Sequence, residues 1–240
     1  CVKLCSEISL QFIELNMCLP QFQVETIDID KLLKLSKKYN IFYTIHLDDT
    51  NTPCDFNPKI AKAYTDTVLE TIEIAKRLDI PVLNMHLSLG THFTLPNKKV
   101  LLFEEYKDEY LKNLTLFRDK CERAIGNSKI KICIENTRAF CYSIGEKSLS
   151  LLLESPVFGV TFDTGHDASN NFSQRPVINK HISKLTHMHL HEHCDHLPFG
   201  DGDLNIKEYL GLAHKHNCRV VIEVKTIEGL RKSVEWINHA

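Results

Sequence analysis

Along the chain, short runs of β-branched and aliphatic residues alternate with longer segments whose apolar residues recur at three- and four-residue spacing. The short runs are FIELNM (12–17), IFYTIHL (41–47), VLNMHLS (82–88), KICIENT (131–137), FGVTFD (158–163), LTHMHLH (185–191) and RVVIEV (219–224), each of strand length and rich in residues that suit a buried pleated surface. Between them, IAKAYTDTVLETIEIAKRL and VLLFEEYKDEYLKNLTLFRDKCERAI carry the helical period. Strand then helix, repeated throughout, predicts a parallel α/β sheet.

Local punctuation supports these elements. Asn57 is placed to cap a helix that Pro58 opens, and Gly126 with Asn127 ends the long helix before KICIE. The segment DHLPFGDGD, with Pro198, Gly200 and Gly202, reads as a structured loop. The opening CVKLCSEISL already reads as a helix. The seven strand–helix units therefore predict a parallel (β/α) barrel, normally of eight strands, whose first strand is missing from the chain as given. The gap would fall between FIELNM and RVVIEV. It is expected to be filled by an upstream segment, by a neighbouring chain's strand, or by direct closure between those two strands, because unpaired buried backbone groups are rare. No linker or low-complexity stretch divides the chain, so residues 1–240 read as one domain.

Composition narrows the class. A content of 43% hydrophobic residues suffices for a large core, yet no stretch approaches the roughly 20 apolar residues of a membrane span. No signal-peptide pattern opens the chain, and no initiator Met does either. Nine cysteines with no CxxC pair point to a reduced, cytoplasmic protein rather than a disulfide framework. Cys133 sits in an apolar run, where a free thiol behaves as a small hydrophobe. A net charge of −2 supplies no basic field for nucleic acid.

The thirteen histidines are more telling, because many fall at or near strand ends. The apolar runs end in Glu14, His46, His86, Glu135, Asp163 with His166, His189 with His191, and Glu223. In a parallel barrel the C-terminal strand ends converge on one face, where active sites are built. One strand-end histidine is more often structural than a ligand, but seven strands ending alike call for a common cause. A carboxylate such as those of CIENT and VIEVK is costly to bury unless paired or bound to a cation, and several together repel one another without a metal. A mixed oxygen and nitrogen set suits Mn²⁺, Zn²⁺, Fe²⁺ or Co²⁺. His181, His187, His214, His216 and His239 are expected on helices or on the outward strand face. Glu14 reads equally as a residue behind the ligands, as a substrate contact, or as half of a salt bridge.

The ordered motifs TIHL, NMHLS, IENT, FDTGHD, MHLHEHCDHLPFGDGD and IEV run through nearly the whole chain. At these residues the sequence resembles the xylose isomerase-like TIM-barrel superfamily, which contains sugar isomerases, epimerases and the endonuclease IV type of abasic-site nuclease. The resemblance implies a common divalent metal, Mn²⁺ or Zn²⁺, held by Glu135, Asp163, His189 and Glu223, with His166 facing substrate. In its epimerases the two metal-bound glutamates also act as acid and base. Its endonuclease IV-like members hold up to three ions. Their extra ligands map onto His46 and His86, with Glu135 bridging, and onto His166 and His196. Two departures stand out. The Asp expected two residues before the histidine of DHLPFG is Cys194, with Asp195 shifted by one; and acidic Asp48 and Asp49 follow TIHL where a groove-probing aromatic is expected.

Three functional readings follow. The first is an isomerase or epimerase of a small sugar, polyol or sugar phosphate, with Glu135 and Glu223 moving a proton across an enediolate. Arg138 and Lys225, each just past a glutamate, would meet an anionic group of that substrate, or form surface salt bridges. The second is a metal-cluster phosphodiesterase acting on abasic DNA or another phosphoester, which uses His46 and His86 best. The segment HEHCDHLPFGDGD, with four acidic residues and no Lys or Arg, argues against a nucleic acid at that mouth. The third is a metal-binding barrel without catalysis. The first is preferred.

Overall fold

Burial of the central strands on both faces is the feature from which the architecture follows. The computed structural model describes residues 1–193 and 196–239. Nine strands run in chain order: β1 Phe12–Asn16, β2 Phe42–His46, β3 Val82–His86, β4 His92–Leu95, β5 Lys98–Leu101, β6 Lys131–Glu135, β7 Phe158–Asp163, β8 Leu185–Leu190 and β9 Arg219–Ile222. Seven of them form one parallel sheet in the order β1-β2-β3-β6-β7-β8-β9, while β4 and β5 pair as a separate antiparallel hairpin. His86 pairs with Glu135 and Asp163 with His189, so these polar strand ends stand level around one mouth, whereas Glu14 pairs with Thr44, one layer below His46. All seven expected barrel strands are present, each within a residue or two of the run that predicts it.

The helices are α1 Val2–Glu7, α2 Ile29–Tyr39, α3 Pro58–Leu78, α4 Leu102–Glu105, α5 Lys107–Ile125, α6 Ser143–Leu152, α7 Thr164–Ser169, α8 Arg175–Lys180, α9 Ile206–Lys215 and α10 Ile227–His239. Asn57 caps α3, its side chain accepting from the Lys59 amide at 3.1 Å, and α5 stops at Gly126, whose φ of 56° needs no Cβ. None of these helices is long and apolar enough to cross a membrane. The outward strand residues Leu83, Ile132, Ile134, Val160, Met188 and Leu190 are buried in the same core as Val68, Ile72 and Ala75 of α3 and Phe117 and Cys121 of α5. Inward residues alternate with them. Glu14, Thr44, Asn84, Cys133, Thr161 and His187 make a polar middle layer where such barrels usually carry branched apolar side chains.

Two expectations need correction. The helical period over residues 100–125 does not form one helix: Val100 and Leu101 belong to β5, and the chain breaks again at Tyr106 between α4 and α5. The hairpin around Pro96 and Asn97 takes up the first residues, and Phe103 is buried against Phe56 and Tyr110 at ring separations of 5.3 and 4.2 Å. His187 does not face outward. It stands two residues before His189 on β8 and so shares that residue's inward face, buried inside the barrel beside Glu14.

Strands β1 and β9 end the sheet and do not pair with each other, so direct closure is not how the gap is met. A cleft of about 280 Å³ lies between them, lined by Phe12, Ile13, Val220, Ile222 and Leu230, with Cys1 and Cys5 of the α1 segment at its edge.

Because the barrel interior is polar, the helix–sheet interface must supply most of the apolar burial. Ile72→Ala, at a fully buried position of α3, should lower unfolding free energy in urea by about 2–5 kcal/mol. A loss below about 1 kcal/mol would show that α3 is not the clamp described here.

Candidate metal centre

The site is built where strands β6, β7 and β8 finish. Asn136 locks two of these ends together: its Oδ1 accepts the Asp163 amide at 2.6 Å, and its Nδ2 donates to the Asp163 carbonyl at 2.8 Å and to Gln174 at 2.7 Å. Asp163 caps α7, with Oδ1 accepting the His166 amide at 2.5 Å, which leaves Oδ2 turned to the mouth. Glu135 is 1% exposed and takes a hydrogen bond from Asn84 Nδ2 on β3.

Around His189 Nδ1 the carboxylates gather. Glu135 Oε2 and Glu223 Oε2 each lie 3.3 Å away, and Asp163 Oδ2 lies 3.9 Å away. The four residues expected to share an ion therefore meet at one nitrogen. Around Glu135 itself, His86 Nε2 is 3.2 Å, His46 Nε2 3.5 Å and His166 Nδ1 3.1 Å from its oxygens. The His46 and His86 rings meet edge to face at 4.8 Å, so both point into the cavity. Asp49 stands over their far nitrogens at 3.5 and 3.7 Å.

His196 departs from the expected grouping with His166. It stacks on His191 at 4.0 Å, and its Nδ1 lies 4.0 Å from Glu223. His191 and His196 with Glu223 form one potential ligand set, whereas His166 groups with Glu135 and Asp163. Cys194 and Asp195, the positions that departed from the family pattern, lie outside the described residues. Arg138 and Lys225 are exposed, and neither side chain makes a hydrogen bond or ion pair to another described residue, so the salt-bridge expectation finds no partner among the described residues. Glu14 lies behind the mouth. Its Oε2 accepts from Thr44 at 2.7 Å and from His187 Nε2 at 3.0 Å. Its Oε1 is 2.8 Å from His189 Nε2, a short contact off hydrogen-bond alignment.

Sequence reasoning missed several contributors. Glu192 is not a charge at the mouth. It is buried, and its oxygens accept the Gly200 and Leu204 amides at 2.9 and 3.0 Å, so it organises the loop that carries His196. Asp201 pairs with Lys232. The mouth is therefore less acidic than a count of carboxylates suggests. Gly165 is also required, since a Cβ there would land inside the His191 imidazole. That ring donates from Nδ1 to the His193 carbonyl at 2.7 Å and turns Nε2 to Asp163 Oδ2 at 3.3 Å. The glycine of FDTGH was the available signal.

Electrostatics follow from burial. Burial opposes the charge on Glu135, but His189 and His86 beside it hold its carboxyl well below the usual range. Glu223 is drawn down to about 2 against its own burial, chiefly by His189. Burial likewise disfavours charge on His46 and His166, yet Glu135 outweighs it and pushes both up to about 9. Imidazolium protons thus balance the carboxylates when no cation is bound. His189 Nδ1, Asp163 Oδ2, His191 Nε2 and His86 Nε2 are buried without a hydrogen-bond partner. Such orphaned atoms are rare in proteins. Facing a shared cavity lined by carboxylates, they fit a divalent cation in chemistry and in number.

The family model for xylose isomerase-like TIM barrels matches residues 2–240, and the chain belongs to that family. Among solved structures it is similar to a D-tagatose 3-epimerase-like protein (23% identity, TM-score 0.76, 96% of this chain and 88% of that one). It is also similar to D-psicose 3-epimerase with D-tagatose from Clostridium cellulolyticum H10 (15%, 0.73, 99% and 90%). A third is AP endonuclease, family 2 from Brucella melitensis (15%, 0.71, 99% and 91%). A search of curated proteins gives no match. At these identities the structural likeness establishes the fold.

Two outcomes are expected. His46 and His166, raised from 6.5 to about 9 in the fold, contribute stability that is complete below pH 6.5 and lost as pH rises through 9. The lowered carboxylates, ionised in both states above pH 4.5, change nothing in that window. The melting temperature of cation-free protein should fall between pH 6.5 and 9, and a flat profile would contradict the charge balance described. Gly165→Ala should displace the His191 ring, visible as a shifted imidazole resonance with Asp163 unmoved; an unchanged ring would refute the steric argument.

Proposed function

We propose that this family member is a divalent-metal-dependent isomerase or epimerase acting on a small sugar, polyol or sugar phosphate through an enediolate. The observation that carries the reading is the meeting of Glu135, Asp163 and Glu223 at His189 Nδ1. Those four would hold Mn²⁺ or Zn²⁺, which when bound supplies Lewis-acid polarisation of a carbonyl and the hydroxyl beside it. The chain's own residues do the rest. Glu135 at the end of β6 and Glu223 just after β9, both kept ionised, stand at the same nitrogen. One takes the proton from the hydroxyl-bearing carbon beside the carbonyl and becomes the carboxylic acid; the other, protonated from solvent beforehand, delivers a proton to the opposite face, and the first then releases its own to solvent. His166, a third exposed at the rim, donates to a substrate oxygen. Arg138 and Lys225, exposed and unpaired among the described residues, meet an anionic group when the substrate is phosphorylated. Similarity to epimerases, one of them crystallised with D-tagatose, supports a ketose as substrate.

One observation favours a second reading. His46 and His86 both approach Glu135, His46 at the oxygen that also faces His189 and His86 at the other one, an arrangement suited to a second ion and hence to a phosphodiesterase. Against a duplex substrate stand Asp48 and Asp49 at the mouth and the lack of a basic field.

Elemental analysis of protein purified without chelators, with turnover assays on ketoses and abasic duplex DNA, separates the two. The expected result is metal-dependent epimerisation of a ketose or its phosphate, with no incision of DNA at physiological salt. Glu135→Gln should abolish turnover, by at least about 10²-fold, and weaken metal binding while the protein stays folded. Incision of abasic DNA, lost in Glu135→Gln, would install the phosphodiesterase reading instead.

A further inference from the structure

Beneath the mouth, three ionisable side chains sit together in the barrel lumen: Glu14 of β1, and His187 and His189 of β8. Glu14 Oε2 accepts from Thr44 and His187, and Oε1 stands 2.8 Å from His189 Nε2, close but off hydrogen-bond alignment. A salt bridge made only for stability is a poor explanation, because a buried ion pair gains little over apolar packing of the same volume. The position of the group is more informative than its charge. Of the carboxylate contacts that His189 makes, the one to Glu14 is the shortest, at 2.8 Å, and it falls on Nε2. The other ring nitrogen, Nδ1, is the one around which Glu135, Asp163 and Glu223 gather.

We propose that Glu14 and His187 are positioning residues for His189: Glu14 keeps the ring proton on Nε2 so that Nδ1 presents its lone pair to a metal, and His187 holds Glu14 in place. A carboxylate behind a ligating imidazole fixes the tautomer, steadies the ring and raises its basicity. His187 donates its Nε2 proton to Oε2 at 3.0 Å, which leaves Oε1 for His189. Its ring also stands edge to face against His189 at 5.3 Å and 6.2 Å from Phe12, so it limits rotation of both partners. Its Nδ1 is buried and unpartnered, a cost that packing alone does not offset. The chain spends two buried polar groups on the orientation of one imidazole.

The inference rests on the metal reading proposed above, and titration with Co²⁺ distinguishes failure of either. Cation-free wild type should bind Co²⁺ and develop a visible ligand-field band. Glu14→Gln keeps an oxygen acceptor but removes the charge; it should weaken Co²⁺ affinity by about 10–100-fold and alter the band. His187→Phe, which keeps the ring but loses the donor, should weaken affinity by a smaller factor, and His187→Gln should restore part of it. Should Glu14→Gln misfold, the two His187 variants carry the same comparison. Lower melting temperatures with affinity within twofold of wild type and an unchanged band would show these groups to be structural and overturn the proposal. Absence of Co²⁺, Mn²⁺ and Zn²⁺ binding by wild type would overturn the metal reading and this inference with it.

Discussion

A single buried carboxylate, Glu135, sets the terms for the rest of the site. Ionised and almost fully enclosed, it has surrendered its hydration and must recover that energy from neighbours. Four imidazoles on β2, β3, α7 and β8 surround it, and Asn84 donates to it from below. Each of those strands must therefore end with its side chain turned inward and at the same height, a demand that parallel pairing meets through its even register. The Asn136 latch between β6 and β7 serves the same end, because it holds Asp163 level with Glu135.

Charge in the lumen has to be offset elsewhere. The polar middle layer contributes little apolar burial, so cohesion is concentrated in the shell between strands and helices, where Leu83, Ile132, Val160 and Leu190 meet α3 and α5. One face of each strand carries chemistry and the other carries stability. A substitution in the shell removes apolar contact, whereas one in the lumen leaves a buried charge without its partner.

Much of this was legible in the sequence, for physical reasons. Runs with a polar last residue are hard to produce by accident, and they indicated the seven strands and the mouth, while the resemblance to the family singled out Glu135, Asp163, His189 and Glu223, which the fold brings together. What stayed hidden depended on geometry that a linear pattern does not encode. His187 is not such a case, because it stands two residues before His189 and shares its inward face by the strand's own period. The pairing of His196 with His191 depends on a loop wrapped around Glu192, and an acidic residue in a loop looks the same in sequence whether it faces solvent or the interior. The hairpin of β4 and β5 was lost because its apolar residues happen to continue the phase of the helix that follows.

The open seam between β1 and β9 has a mechanical consequence. In a closed ring every strand is located from two directions. Among the described residues, pairing connects β1 to β9 only through the five strands between them. The contacts from Glu14 on β1 to His187 and His189 on β8 cut across that path like a diagonal strut, and they fix the leading end of the sheet directly to its far side. Glu223, which follows β9, leans on His189 and His196 of β8 and its loop and is the most exposed of the four gathered side chains. Of the whole constellation, it is the member with the most slack, and adjustment to differently shaped occupants of the cavity falls to it.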